Sequence, residues 1–488
     1  MSEPRILSNF IGGAPAPVHD RPTLDVTSPR DGSLLARVPM CGRAEVDLAV
    51  AAAKRAQPAW AKTPMKERAT RLFALRALLL AHLDELADTC AKESGKTVAE
   101  GRAEVLKGVE VVEFALSLQN LDHGASMQVS RGVTCELRRE PLGVVAGIVP
   151  FNFPAMVPMW MFPIAIAVGN AFVMKPSEKV PITLCRVAEL FAEAGLPPGI
   201  FSLVHGGADV AVALTEHPDV AAIGFVGSTA VARRVYELGT RHDKRVLALG
   251  GAKNHLLAVP DADPDITVQG VVDSFTGCAG QRCMAASVLV AVGDADALVA
   301  RIVERARAIE LGGGMGAIID EASRARIVAA IAEAEADGAK VLLDGRAARP
   351  ADPALAGGTW LGPTILDQVR PEQAIRHHEV FGPVLAIVRA PTLKDALRLQ
   401  AESEYGNACS VFTTSGAVAE YVAEHATAGM IGVNIGVPVP REPFSFGGTK
   451  ASKFGQGDIT GESGVELWSN LKKITRKWEA QPDATWMG

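Results

Sequence analysis

The chain has 488 residues, and its 49 Lys and Arg against 55 Asp and Glu give a formal net charge of −6. This mild acidic excess argues against a nucleic-acid-binding protein, which gathers basic residues on one face. Seven scattered cysteines, an odd number, do not form a disulfide framework, and the first residues lack the basic and apolar regions of a secretory signal. We expect a cytoplasmic protein of about three structural units.

The first part of the chain predicts short strands followed by helices. Apolar residues recur at three- and four-residue spacing, for example at Leu72, Leu75 and Leu79, as on the buried face of a helix. The predicted helices cover residues 45–60, 64–92 and 96–119. Residues 127–139 alternate between apolar and polar side chains, which predicts an extended hairpin turning at Arg131 and Gly132.

No charged residue occurs from position 141 to position 174, a length sufficient to span a bilayer. Repeated prolines interrupt this segment, however, and each would break a spanning helix and leave carbonyl groups unpaired in lipid. We therefore predict a buried strand at 143–149, a sharp turn, a buried helix and a second strand at 171–174. A membrane span is the disfavoured alternative.

From residue 144 onward, aliphatic strands alternate with helices, a pattern typical of doubly wound parallel sheets. The first set of predicted strands is 144–149, 171–174, 201–204, 222–225 and 246–249, and its clearest helix is 181–194. A second set, within residues 256–433, has helices at 297–309 and 321–337 and strands at 287–292, 384–388 and 410–412. The tail, 464–478, is predicted to be mostly extended.

The motif Gly-Gln-Arg-Cys ends at Cys283, the best candidate nucleophile of the chain. Its neighbours predict a tight turn at a helix start, where backbone N–H groups and the helix dipole would lower the pKa of the thiol. The alternative is a small buried cysteine, the usual state of a free cysteine. Cys278 has no partner at ligand spacing, so zinc is not expected.

Polar residues follow several of the predicted strands. Asn152 follows the first strand and could donate to an oxyanion, or it could simply cap a helix. Lys175 and Glu178 suit the hydroxyl groups of a ribose and favour NAD over NADP, since a carboxylate repels a 2′-phosphate. The alternative is a solvated surface pair. Gly227 and Ser228 precede a predicted helix, whose free N–H groups are a weak signal for pyrophosphate binding.

Two other features carry no predicted site. The glycine-rich stretch 312–316 follows a helix and is interpreted as a loop. His377, His378 and Glu379 could resemble metal ligands, but adjacent residues on a strand point to opposite faces, and no metal is expected.

Five motifs together resemble, in their order, those of the aldehyde dehydrogenase superfamily: Pro-Phe-Asn-Phe-Pro, Lys-Pro-Ser-Glu, Phe-x-Gly-Ser-Thr, Gly-Gln-x-Cys and Glu-x-Phe-Gly-Pro. The resemblance covers nearly the whole chain. It implies that Cys283 forms a thiohemiacetal with an aldehyde, and that Asn152 and the Cys283 N–H form the oxyanion hole. The residues that it assigns to NAD are Val149, Phe151, Lys175, Glu178, Gly227, Ser228, Glu379 and Phe381.

One departure from that superfamily concerns the second half of the reaction. Hydrolytic members carry a Glu-Leu-Gly-Gly segment whose glutamate activates water. Here the matching position is Ala248 or Leu249, and no acidic residue occurs between Lys244 and Pro260. We therefore expect that no carboxylate lies close enough to Cys283 to activate a water molecule as a general base. Because general-base help is worth about 10²–10⁴-fold in rate, a thiol such as coenzyme A is favoured instead.

Other motifs are similar to those of the CoA-acylating methylmalonate- and malonate-semialdehyde dehydrogenases, namely Gly-Ala-Lys-Asn-His, Ala-Gly-Gln-Arg-Cys-Met-Ala and Tyr-Gly-Asn. This resemblance assigns Arg282 to the substrate carboxylate. A second arginine of that group is replaced by Lys107, which keeps the charge but loses the bidentate fork. Residues 441–448 also differ from the methionine- and phenylalanine-rich version of that group.

The resemblance implies an α/β architecture with two doubly wound parallel-sheet domains and a small β oligomerisation arm. The expected boundaries are 1–122 and 142–249 for the NAD-binding domain, 250–450 for the catalytic domain, and 123–141 and 463–484 for the arm. Because an exposed strand edge requires a cover, the arm is expected to pair with another subunit in a homodimer or homotetramer.

The expected function is therefore NAD-dependent oxidation of a small carboxylated semialdehyde to an acyl-CoA. The first alternative is a hydrolytic enzyme for another aldehyde, such as succinate semialdehyde. The second is a non-catalytic role on an enzyme-like scaffold, against which the intact set of Cys283, Asn152 and Lys175 argues. Neither nucleic acid nor a membrane is an expected partner.

Overall fold

The computed structural model describes residues 5–122 and 124–478. Its N-terminal part begins with short strands, continues with helices and ends in a hairpin. These elements are β1 (Asn9–Ile11), β2 (Ala14–Ala16), β3 (Thr23–Thr27), β4 (Leu34–Pro39), α1 (Arg43–Lys62), α2 (Met65–Ala81), α3 (Leu83–Ser94), α4 (Val98–Leu121), β5 (Ala125–Ser130) and β6 (Val133–Pro141). The hairpin turns at the predicted place, whereas the helix predicted over 64–92 is two helices that meet at His82.

The next part forms most of a large mixed sheet. Its elements are β7 (Val144–Ile148), α5 (Met156–Met159), α6 (Phe162–Ala167), β8 (Ala171–Lys175), α7 (Ile182–Glu193), β9 (Phe201–Leu203), α8 (Ala208–Glu216), β10 (Val220–Val226), α9 (Thr229–Arg241) and β11 (Arg245–Leu249). Within the described residues, the strand order is β9-β8-β7-β10-β11 for the parallel part, as the alternation predicts. The antiparallel β1 and β2 extend one edge.

The last part builds a second, mainly parallel sheet. Its elements are β12 (Asn254–Ala258), α10 (Pro264–Thr276), a 3₁₀ turn (Gly277–Gly280), β13 (Ala286–Val292), α11 (Asp296–Arg307), α12 (Glu321–Ala336), β14 (Lys340–Leu343), a second 3₁₀ turn (Pro353–Leu355), β15 (Thr364–Asp367), α13 (Ala374–His377), β16 (Val384–Ala390), α14 (Leu393–Ala401), β17 (Tyr405–Gly406), β18 (Ala408–Phe412), α15 (Gly416–His425), β19 (Met430–Val433), β20 (Thr449–Lys450), β21 (Lys453–Phe454), α16 (Gly461–Leu467) and β22 (Ser469–Lys477).

The second sheet has the order β14-β15-β16-β13-β12-β18-β19 among the described strands, and β14 is its antiparallel member. Alternate residues of β13 pack on opposite faces, because successive side chains of a strand point to opposite sides. Val288 and Val290 join one apolar cluster, while Leu289 and Ala291 join the other. Both faces are therefore covered, which accounts for the aliphatic composition of these strands.

The chain ends in a third, smaller sheet with the order β22-β6-β5. The prediction of an extended tail over 464–478 is confirmed for β22 and wrong for its first residues, which complete α16. The helical part is too short to show an apolar period. The short strand β21, which precedes α16 in the chain, pairs with β11 of the first sheet.

The charge-free segment 141–174 is buried inside the first sheet and its helical layer. The predicted strands are present as β7 and β8, but the predicted helix is divided into α5 and α6, with Pro163 in the first turn of α6. None of the helices in the described ranges combines the length and apolarity that crossing a membrane requires.

Candidate active site

Loops after β7, β10 and β11 meet the turn before β13 around a cavity of about 350 Å³. In a doubly wound sheet, ligands bind at the carboxyl ends of the strands, and these loops lie there. The predicted site residues that line the cavity are Phe151, Asn152, Gly227, Ser228, Cys283, Glu379 and Phe381. Residues from four distant stretches of sequence are thus brought together.

Cys283 lies in the turn between the 3₁₀ segment Gly277–Gly280 and β13, so its predicted place at a helix start is wrong. Gly280 has φ +68°, and a side chain there would overlap the carbonyl of Gly382. This close approach holds the cysteine turn against the loop that carries Glu379 and Phe381. Burial and then the Glu379 charge raise the pKa of the Cys283 thiol to about 12, the reverse of the predicted shift.

Among the described residues that line this cavity, Glu379 is the one that carries a carboxylate. Its Oε1 accepts a hydrogen bond of 3.0 Å from the N–H of Ala252, and burial raises its pKa to about 7. The expectation that no carboxylate lies near Cys283 is therefore wrong, because Glu379 arrives from a loop far away in sequence. Phe381 packs edge-on against Phe151 with ring centroids 5.8 Å apart.

The segment that supplies the water-activating glutamate in hydrolytic enzymes contains no acid here. Ala248 and Leu249 are buried in β11, and the backbone of Gly250 and Gly251 lines the cavity instead. A side chain at Gly251 would overlap Oε2 of Glu379. Glycine at this position therefore leaves room for the Glu379 carboxylate.

Asn152 follows β7 in a loop that Lys96, just before α4, and Glu104, on α4, hold in place. Its backbone carbonyl accepts a 2.8 Å hydrogen bond from Lys96 Nζ, and Lys96 forms a buried ion pair with Glu104. The second carboxylate oxygen of Glu104 accepts from the N–H groups of Ala155 and Met156. The helix cap next to it is Ala155, so the alternative role of Asn152 as an N-cap is wrong.

The Lys175–Glu178 pair is formed, with 3.2 Å between Nζ and Oε2. Lys175 is 5% exposed, so the alternative of a solvated surface pair does not hold for it. Burial lowers the pKa of Lys175, which Glu178 partly offsets. The N–H of Val149, also buried, donates to the Lys175 carbonyl at 3.2 Å and ties the end of β7 to β8.

Two cationic residues to which the sequence assigned no role lie close to Glu379. Arg326 lines the cavity and donates to the carbonyl of Val380 at 2.7 Å. Lys253 is 3% exposed, and burial lowers its pKa to about 7 although the Glu379 charge opposes the shift. Lysine in an apolar stretch after β11 was the available sequence signal for Lys253, and none marked Arg326.

A second cavity, of about 260 Å³, lies on the other side of Cys283 and contains both predicted substrate residues. Arg282 donates from Nη2 to the carbonyls of Asp273 and Ser274, while its Nε is buried without a hydrogen-bond partner in the described structure. Lys107 pairs with Glu110 at 2.8 Å and with Glu442 at 3.8 Å. Its charge is therefore largely compensated.

The histidine pair near Glu379 is not on a strand, because His377 ends α13 and His378 follows it. The argument from opposite strand faces thus does not apply. Over residues 5–122 and 124–478, no cluster of three or more His, Cys, Asp or Glu could hold a metal ion. The glycine-rich stretch 312–316 is a loop, as predicted.

Comparison with known proteins gives a consistent result. The model of the aldehyde dehydrogenase family matches residues 18–474. Malonate-semialdehyde dehydrogenase 3 of Geobacillus kaustophilus is 44% identical over 488 residues, which cover 98% of this chain and 100% of that protein.

Solved structures agree with the sequence comparison. Methylmalonate-semialdehyde dehydrogenase from Oceanimonas doudoroffii superposes with a TM-score of 0.95 at 38% identity and covers 98% of this chain and 99% of its own. A Sinorhizobium meliloti 1021 protein in complex with NAD gives a TM-score of 0.96 at 37% identity, with the same coverage.

Proposed function

This chain belongs to the aldehyde dehydrogenase family, and we propose that it oxidises malonate semialdehyde or its methyl-substituted form with NAD and transfers the acyl group to coenzyme A. The observation that carries the proposal is the position of Cys283 between two cavities. One cavity collects five of the eight residues assigned to the cofactor, and the other collects two cationic side chains suited to a carboxylate. The names of the relatives support this choice of substrate.

NAD fits the first cavity on physical grounds. The N-terminus of α9 follows Gly227 and Ser228 and offers unpaired N–H groups to a pyrophosphate. Lys175 and Glu178 would hold one ribose, and Glu379 the other. The remaining assigned residues, Val149, Phe151 and Phe381, would enclose the cofactor. When bound, NAD supplies the acceptor for the hydride of the aldehyde.

Cys283 acts first: once the thiol has lost its proton to solvent, the sulfur forms a bond to the aldehyde carbon and the carbonyl oxygen becomes negatively charged. The Asn152 amide and the Cys283 N–H donate to that oxygen, and such donors contribute most as charge develops. Loss of the hydride leaves an acyl thioester on Cys283. The thiolate of coenzyme A then forms the new carbon–sulfur bond, and the Cys283–carbon bond breaks.

The choice of coenzyme A over water follows from the absence of an acid in β11, which contains Ala248 and Leu249, and in the loop after it. A thiolate attacks a thioester without the general-base help that water needs. Glu379 favours a second candidate, because it lines the same cavity and its pKa is about 7. If Glu379 accepted the proton of a water molecule, the enzyme would release a free acid, with succinate semialdehyde as one candidate substrate.

The substrate carboxylate would lie in the second cavity against Arg282 and Lys107. Arg282 offers its unpaired Nε as one donor. Lys107 would have to exchange part of its contact with Glu442 for the substrate.

We also propose a homodimer or homotetramer assembled through the β22-β6-β5 arm. Its strand β5 is exposed along its whole length, so its outer edge requires a cover. The first sheet would belong to the NAD-binding domain, residues 1–122 and 142–249, and the second to the catalytic domain, residues 250–450. The predicted end of the arm, beyond residue 478, lies outside the described residues.

The deciding experiment measures NADH formation from malonate, methylmalonate and succinate semialdehydes, each with and without coenzyme A, and identifies the products by mass. We expect the β-oxo acid equivalents to give an acyl-CoA with loss of CO₂, at a rate that depends on coenzyme A. A rate indifferent to coenzyme A, with free acid as product, would establish the hydrolytic alternative. Cys283→Ala should abolish turnover, and unchanged turnover would exclude Cys283 as the nucleophile.

A further inference from the structure

The backbone carbonyl of Cys283 is held by two side-chain amides. Asn254, the first residue of β12, donates from Nδ2 at 2.7 Å, and Asn407, just before β18, donates from Nδ2 at 3.0 Å. Both asparagines are buried, with exposures of 2% and 6%. A carbonyl oxygen has two lone pairs, so both acceptor positions of Cys283 are filled by neutral donors.

The orientation of Asn254 follows from its other contacts. Its Oδ1 accepts a 2.9 Å hydrogen bond from the N–H of Ala408, and a backbone amide donates only. The opposite atom must therefore be the nitrogen, which donates to the carbonyls of Cys283 and, at 3.0 Å, Ala285. Asn254 thus connects the cysteine turn to β18, across the central strand β12.

Asn407 fixes the same turn from a second direction. Its Nδ2 also lies 3.1 Å from the sulfur of Met284, and its own carbonyl accepts from the N–H of Met430 on β19. Residues at the beginnings of two neighbouring strands of the second sheet, β12 and β18, therefore hold one peptide group.

Fixing a carbonyl fixes the whole peptide unit, because the peptide bond is planar and trans. The carbonyl of Cys283 and the N–H of Met284 belong to one unit and point in opposite directions. Burial and Glu379 raise the pKa of Cys283, whereas the N–H groups of Cys283 and Met284 lower it by hydrogen bonding to the sulfur. The two asparagines thus hold one of the donors that stabilise the thiolate.

We propose that Asn254 and Asn407 are positioning residues that hold the Cys283–Met284 peptide, so that its N–H faces the sulfur and the thiol faces both cavities. The proposal rests on the proposed role of Cys283 as nucleophile. It adds a function for the Gly-Ala-Lys-Asn-His and Tyr-Gly-Asn motifs, whose asparagines touch the nucleophile's backbone and not the reacting atoms.

The test measures the rate of Cys283 alkylation by iodoacetamide from pH 7 to 9.5 in the full-length protein, with the modified peptide identified by mass. Asn407→Ala and Asn254→Ser each remove at least one donor to the Cys283 carbonyl. We expect alkylation at pH 8 to slow by about fivefold, the effect of one net hydrogen bond, and kcat to fall with little change in KM. Asn407→Asp keeps the shape, loses the donor and adds a carboxylate, so it should slow alkylation at least as much as Asn407→Ala.

Gln400→Ala is the matched control, since Gln400 is a buried amide of the same half of the chain that accepts from the N–H of Thr427. It should leave the alkylation profile unchanged. Equal alkylation rates in folded Asn407 variants and in the unsubstituted protein would overturn the proposal. If Asn254→Ser fails to fold, the two Asn407 variants decide. Because alkylation needs no aldehyde, a failure of the proposed function would be seen separately.

Discussion

Two residues of the candidate active site, Cys283 and Glu379, oppose each other electrostatically. Burial and the Glu379 carboxylate raise the pKa of the Cys283 thiol, so the thiolate is scarce when Glu379 is ionised. Glu379 has a pKa of about 7, also because of burial, so its charge changes near neutral pH. The reactivity of the cysteine should therefore depend on the protonation of Glu379, a residue assigned to the cofactor.

Glu379→Gln tests this coupling. Above pH 7 wild-type Glu379 is ionised and raises the pKa of Cys283, so the substitution should accelerate iodoacetamide alkylation by about tenfold, equivalent to one pKa unit. Near pH 6 Glu379 is protonated, and the two proteins should react alike. The measurement is the alkylation rate of the variant divided by that of the unsubstituted protein, taken at pH 6 and again at pH 8.5 without NAD.

Glu372→Gln is the control for Glu379→Gln, because Glu372 is exposed and pairs with Arg370. Glu372→Gln should be alkylated at the same rate as the unsubstituted protein at both pH values. If the alkylation rate of Glu379→Gln relative to the unsubstituted protein were the same at pH 6 and pH 8.5, the coupling would be contradicted.

Glu442 should weaken carboxylate binding by competing for Lys107. Its carboxylate is nearly buried, and one oxygen has no hydrogen-bond partner in the described structure. In Glu442→Gln the Lys107 charge is less compensated, so KM for malonate semialdehyde should fall by about threefold to fivefold, the range of a partly exposed charge pair. NADH assays give the value.

Propionaldehyde has the same carbon chain without the carboxylate and is the control substrate for Glu442→Gln. Its KM should not change. Equal effects on both aldehydes would mean that Glu442 shapes the cavity and does not compete for the charge.

At this scale the sequence predicts the residues that motifs mark and misses those that folding adds. Cys283, Asn152 and Glu379 line one cavity as the motifs imply. The sequence cannot reveal that Glu379 acts on Cys283, because loop packing, with the close approach of Gly280 to Gly382, brings the two together. The shift of the cysteine pKa was predicted with the wrong sign because burial, and then the Glu379 charge, outweigh the backbone N–H groups near the sulfur.

Between elements, the buried Lys96–Glu104 pair joins the start of α4 to the loop that carries Asn152. Lys96 and Glu104 side chains are 3% and 0% exposed. Burial acts to lower the pKa of Lys96, but the Glu104 carboxylate raises it above its ordinary value. Removing one partner of such a pair leaves an uncompensated buried charge.

Lys96→Met should lower the free energy of unfolding by about 3–5 kcal/mol, the cost typical of a broken buried pair. Adding Glu104→Gln should restore most of this loss, since the amide oxygen still accepts from Ala155 and Met156. Denaturant unfolding followed by fluorescence provides both values.

Lys92→Met is the matched control, because Lys92 forms an exposed pair with Asp88. Its effect should stay within about 0.5 kcal/mol. A loss as small as this in Lys96→Met would show that the ion pair does not hold the loop.

Regular elements follow the sequence where their pattern is long. The aliphatic strands β7 to β11 occur as predicted, and so do β13, β16 and β18 of the second sheet, because burial on both faces leaves a strong composition signal. The break at His82 leaves no such signal, since the apolar spacing of Leu72, Leu75 and Leu79 continues in Leu83 and Leu86. A one-residue kink does not interrupt the apolar face.

For the whole molecule, the arm combines segments that lie more than three hundred residues apart. Ser469 pairs with Pro141 and Lys477 with Val133 in a continuous antiparallel register. Alternation in each segment predicts a strand, but only the folded chain brings the two together. The arm packs little apolar surface against its own sheet, and Met127, Val129 and Leu471 are exposed by 65%, 46% and 40%.

Such exposed apolar residues on a sheet edge are expected to be covered by a second copy of the chain. The double variant Val129→Asp with Leu471→Asp introduces two charges there, and burying an unpaired charge is unfavourable. We expect the dissociation constant of the proposed oligomer to rise by at least about 100-fold, two factors of ten from two substitutions. Light scattering during size-exclusion chromatography would then give the monomer mass at micromolar concentration. Leu48→Asp, at a still more exposed apolar position on α1, should keep the mass of the unsubstituted protein. An unchanged mass in the double variant would place the subunit contact on another surface.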